Sequence, residues 1–127
     1  MVTAALVDSH IDDGRKLVLA LDDMNIDVEV ALWLYDSDSE EWRLLIASRK
    51  LQEHGPLKAY ETVQTALAGI PHRSIALSNV TVVSTDDPTI RALRSVISTG
   101  PGITGMRFSR NVIDHVFIED AYIYRVR

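Results

Sequence analysis

The chain contains no cysteine. That removes disulfide frameworks, thiol nucleophiles, thiolate zinc sites and iron–sulfur clusters together, and leaves a core held by packing alone. Long apolar runs are also missing. The densest stretch, Val30 to Tyr35, is far shorter than the roughly 20 residues of a membrane-crossing helix. Residues Met1 to Lys16 have no basic start and no long apolar segment, and Asp8 comes early, so we expect no secretory signal and a cytoplasmic location. Proline and glycine number only four and six. With no low-complexity tract, internal repeat or linker, neither a disordered chain nor a repeat array is indicated.

What remains is ordinary globular composition. The 127 residues are 46% hydrophobic and 24% charged, which fits one domain over residues 1–127 with a core large enough to need no metal. The net charge of -5 is unevenly spread: residues 1–63 carry six Lys/Arg against thirteen Asp/Glu, and residues 64–127 carry seven Arg, no Lys and five Asp/Glu. A surplus of two positive charges is far from a nucleic-acid footprint, so nucleic acid is not the expected partner.

Hydrophobic periodicity supplies the elements. Ile11, Gly14, Leu17, Val18, Leu21 and Met24 recur at spacings of three and four and predict a helix over 8–24, with Asp8 or Ser9 as its cap. Residues 26–35 read as a strand that begins alternating with acids and ends apolar on both faces. Trp42 to Ser48 reads as its return strand, across a polar turn from Asp36 to Glu41. Gly55-Pro56 opens a second helix with Leu57, Tyr60, Val63, Leu67 and Ile70 inward. Val80 to Ser84 is a β-branched run of the kind found in central strands. Asp87-Pro88 starts a third helix with Ile90, Leu93, Val96 and Ile97 inward, and strands near 103–109 and 117–126 close the chain. The expected class is α+β in the order α-β-β-α-β-α-β-β, a mixed sheet with helices packed mainly on one face. Leu32, Leu44, Ile46, Val82, Leu93 and Tyr122 are expected in one core.

Motifs that carry chemistry are absent: no nucleophile elbow, no His-Glu-x-x-His, no dinucleotide fingerprint. The glycines of Ser98 to Gly105 leave a helix for a strand, the reverse of a phosphate loop. The α-β-β opening resembles metal-dependent nuclease cores in element order only. Their acid-x-Lys on a strand is missing, since the second strand reads Trp42-Arg43-Leu44-Leu45. Neither a metal nor a cofactor is implied. The acids Asp36, Asp38, Glu40 and Glu41 read as a solvated turn rather than a calcium loop.

Candidate catalytic groups are confined to the last strand and its turn. Asp120 shares a strand face with Ile118, Tyr122 and Tyr124, and a carboxylate among apolar neighbours needs a partner such as Arg107, Arg94 or a helix N-terminus. Glu119 and His115 lie beside it. Candidate binding residues are the surplus aromatic Trp33 and the arginines Arg91, Arg94 and Arg107, which with Arg110 can form one basic patch. The leading expectation is a non-catalytic protein acting by protein–protein interaction or self-association. A homodimer built on an exposed Trp33, with Trp42 nearby, is its most specific form. The alternative is a small hydrolase or nuclease-type enzyme using Asp120, Glu119 and His115, with or without a divalent metal.

Overall fold

The computed structural model describes residues 5–127. Elements follow as α1 (Asp8–Asp23), β1 (Val30–Asp36), β2 (Glu41–Ala47), α2 (Arg49–Glu53), α3 (Gly55–Ala68), a 3-10 turn (Leu77–Asn79), β3 (Val80–Val83), α4 (Pro88–Val96), β4 (Met106–Ile113) and β5 (Val116–Val126). The expected α+β class and order hold, with α2 added. Its start is fixed by Ser48, whose hydroxyl accepts from the Leu51 amide.

The five strands form one mixed sheet in the order β3-β2-β1-β5-β4. β2 and β3 run parallel, joined through α2 and α3, and every other neighbouring pair is antiparallel. β3 is therefore an edge strand, not the central one its β-branched run suggests. Its outer side is met by α3, where the Tyr60 hydroxyl accepts from the Val82 amide at 3.0 Å.

Both faces of the sheet are apolar, so the residues expected in one core divide between two. Alternation on β1 sends Ala31, Trp33 and Tyr35 to a first face with Leu44 and Ile46, under α1, α2 and α3; Val82 and Tyr122 pack at its margin. Val30 and Leu32 go to the second face with Leu45, Ala121 and Ile123, where Ile90 and Leu93 of α4 close over them. Leu93 and Leu32 thus belong to the second core.

Three sequence readings need correction. Val7, extended at φ -85 and ψ 150, stands at the cap position of α1 with no side-chain bond, so Asp8 falls inside the first turn and neither it nor Ser9 caps. Leu57 is 76% exposed. The buried stripe of α3 runs through Ala59, Val63, Ala66 and Leu67, and Leu57 lies two residues, about 200°, from Ala59. Val96 is likewise exposed at the end of α4. Asp87 does cap that helix, accepting from the Thr89 amide at 3.0 Å.

Buried polar groups join the layers. Asp13 accepts from the Ser74 hydroxyl at 2.7 Å and from the Ser74 amide, tying α1 to the loop after α3. Arg125 is buried on β5 and makes four bonds: two to Asp22 (3.0 and 2.9 Å), one to the Val28 carbonyl (3.0 Å) and one to the Gly102 carbonyl (3.4 Å). A buried charge persists only when paired in this way.

Gly14 explains itself in this packing. A Cβ there would stand 2.3 Å from the Tyr124 hydroxyl and 2.8 Å from Trp33 Nε1. Gly14→Ala should therefore destabilise the fold by about 1–3 kcal/mol through overpacking, although alanine is the better helix former by roughly 1 kcal/mol. Urea melts decide, and a gain in stability would show that α1 sits farther from the sheet.

Candidate functional site

The first face is covered by helices over β2, β1 and the end of β5, and is bare toward β4. There Arg107 of β4 pairs with Tyr122 of β5 in register, and its guanidinium grips Asp120 through two bonds of 2.7 and 2.6 Å. That two-pronged geometry is the strong form of a carboxylate contact. The same guanidinium lies 5.4 Å from the Trp42 ring centroid, and Trp42 meets Tyr35 edge-on at 5.5 Å. Asp120 is thus neutralised beside an aromatic floor. Its bond to Arg107 in turn holds the guanidinium pKa above the ordinary range.

The other catalytic candidates do not join it. Asp114 and His115 are the two residues of the β4–β5 turn, both left-handed at φ 47 and 68. Such a turn matches the twist of a hairpin, and it puts His115 at an exposed tip. Glu119 neighbours Asp120 in sequence but takes no part in the Arg107 contact; its Oε2 is buried without a hydrogen-bond partner among the described residues. Among those residues no group of three His, Cys, Asp or Glu is placed to hold a metal. Among the surface cavities, one of about 440 Å³ is lined by Asp8, Asp12, Arg15, Tyr122 and Tyr124, and one of about 530 Å³ by His10, Glu40, Glu41, Trp42 and Arg43. Neither of these two is lined by His115, Glu119 or Asp120.

The arginines also separate. Arg94 of α4 bonds the Arg127 carbonyl at 2.8 Å and Glu29 at 3.1 Å, on the side of the sheet opposite Arg107. Arg91, on the same helix, is exposed. The helix and strand arginines therefore do not make one patch.

Trp33 is fully buried. His10 of α1 stacks on it at 5.8 Å, and its Nε1 donates to the Tyr124 hydroxyl at 2.9 Å, which donates onward to the Ile11 carbonyl at 2.5 Å. The exposed patch expected of Trp33 is not there, because α1 covers this face.

Exposed apolar side chains stand elsewhere. β5 last pairs with β1 at Ala121, so residues 116–120 pair with β4 alone and form a two-stranded arm. One side of the arm packs into the second core through Ile113, Val116 and Ile118. On the other side Val112 and Phe117 face each other across the strands, 69% and 59% exposed. Sequence reasoning missed this pair because the closing strand was placed too early, ending near 109. Correct boundaries would have put Val112 and Phe117 on either side of a two-residue turn. At Arg110 the backbone is left-handed, φ 51. Ile118 and Ala121 both face the second core, so the alternation breaks opposite that kink.

Trp33→Ser should unfold the chain rather than shift its assembly, at a cost of about 3–5 kcal/mol. Burial pushes the Tyr124 phenol well above its ordinary value of 10.0. The folded chain therefore holds this proton more tightly than the unfolded one. The stability it contributes is complete below pH 10.0 and is lost as pH rises through the folded value. Urea midpoints from about pH 9 to about pH 11.5 should fall more for the native chain than for Tyr124→Phe; equal slopes would mean the phenol titrates freely. No family model, curated protein or solved structure matches the chain, so what these residues do must be read from their own geometry.

Proposed function

We propose that the chain works without catalysis, as a protein-interaction module whose contact surface is the bare side of the β4–β5 arm. One observation carries this reading: Val112 and Phe117 form an exposed cross-strand apolar pair on an arm whose opposite side is already packed. Contiguous exposed apolar surface marks contact sites on water-soluble proteins, and an aromatic anchor is typical of an interface centre. The dispersal of Asp120, Glu119 and His115 favours the same reading over a hydrolase. The partner is a second copy or another protein.

Photocrosslinking tests the surface. A benzophenone side chain at position 117 should give a discrete adduct on irradiation of cells producing the chain. The same group at Leu57, a solitary apolar residue 76% exposed on α3, should give none. Phe117→Ser should meanwhile leave the urea midpoint within the small range of surface substitutions, about 0.5 kcal/mol. Equal labelling at the two positions, or a large loss of stability, would return Phe117 to a purely structural role.

A further inference from the structure

Resting on that reading of the arm, we infer that its occupant is a second copy of this chain, in a two-fold contact that lays arm against arm and sets Arg110 of each copy against the acidic β1–β2 turn of the other.

The arm and that turn lie at the same end of the sheet. β1 runs toward the turn, ending with Asp36 opposite Glu41, and β5 enters the sheet antiparallel beside β1 at Ala121. The two-stranded arm therefore extends from the sheet on the side where the turn projects. The turn carries Asp38, Glu40 and Glu41, all exposed and in no ion pair among the described residues. Arg110, in the middle of β4, is exposed and equally unpaired among them. Arg107, three residues earlier, is already neutralised by Asp120. Among the described residues each copy thus presents at one end an apolar pair, the unpaired Arg110 and the unpaired carboxylates of the turn, with Asp114 exposed at the arm's tip. That combination is self-complementary.

A two-fold contact brings the same patch of both copies together. Val112 and Phe117 then bury each other's apolar surface at the centre. At the periphery Arg110 of one copy meets the negative turn of the other, in both directions at once. The turn also tells against other occupants. Carboxylates beside the arm repel nucleic acid and anionic membrane alike, which Arg110 alone cannot offset. Simple extension of the sheet is disfavoured as well, since the left-handed backbone at Arg110 interrupts the edge of β4. The contact is face to face.

Sedimentation equilibrium on the purified chain tests the inference. At tens of micromolar the expected species has twice the 14.2 kDa chain mass. Its dissociation constant should rise about tenfold or more between about 50 mM and about 500 mM salt, because peripheral ion pairs are screened. Phe117→Ser and, as an independent probe at a more exposed position, Val112→Arg should each give monomer with an unchanged circular dichroism spectrum. Arg110→Glu should weaken the dimer at least tenfold, and combining it with Glu40→Arg and Glu41→Arg should restore it. A monomer under all conditions would overturn the second copy as occupant, while adducts at position 117 in cells would still support the arm as a contact surface. Absence of both would remove the arm itself. A dimer indifferent to Phe117→Ser and Val112→Arg would place the interface elsewhere, and failure of the charge reversal to restore it would overturn the pairing with the turn.

Discussion

The bond between Trp33 and Tyr124 is the constraint around which this fold is arranged. Two side chains from adjacent central strands share one hydrogen bond, and the Tyr124 hydroxyl passes it on to the Ile11 carbonyl. A helix can reach that depth only where it has no Cβ, which is the position Gly14 occupies. Helix α1 is thereby fixed over β1 and β5, with Leu17, Val18 and Leu21 following onto the sheet. The indole and the phenol are both satisfied, so the aromatic pair adds apolar area without leaving a buried donor unpaired.

Further polar bonds hold the layers in place relative to that centre. Arg125 anchors the last turn of α1 through Asp22, and Asp13 anchors its first half to Ser74. On the other face Glu29 accepts from the Arg49 amide at the start of α2 and from Arg94 of α4. One carboxylate beside β1 thus connects helices from both sides of the sheet. Where the sheet outruns its helices, at the arm, Val112 and Phe117 are left exposed.

Much of the fold was legible because periodicity is a local property. The stripe Leu17–Val18–Leu21, the doubly apolar β1 and the Asp87-Pro88 start of α4 all announce themselves within a few residues. Strand order does not, and β3 is the example: a β-branched run reports that two faces are covered, but not whether both edges are paired. Asp120 looked anomalous for a related reason. Its apolar neighbours along the strand were visible, whereas Arg107, thirteen residues away, becomes a partner only through the hairpin register. Trp33 was read as surplus because the sequence shows one helix period at a time and cannot show which face a helix will cover. The arm went unseen because its two apolar residues are two among many until the turn at Asp114-His115 sets them opposite each other.

The placement of β5 has a consequence for how the molecule comes into being. It lies inside the sheet, between β1 and β4, yet is the last strand in the chain. Trp33 and Tyr124 are separated by 91 positions. On a ribosome, α1 and the first hairpin emerge early and must wait, with one flank of β1 unpaired and the floor of the first core open. Contacts between such distant segments close slowly, because a long loop is ordered before any reward is gained. Residues 1–63 carry thirteen Asp/Glu against six Lys/Arg, and like charge in that excess opposes association between chains.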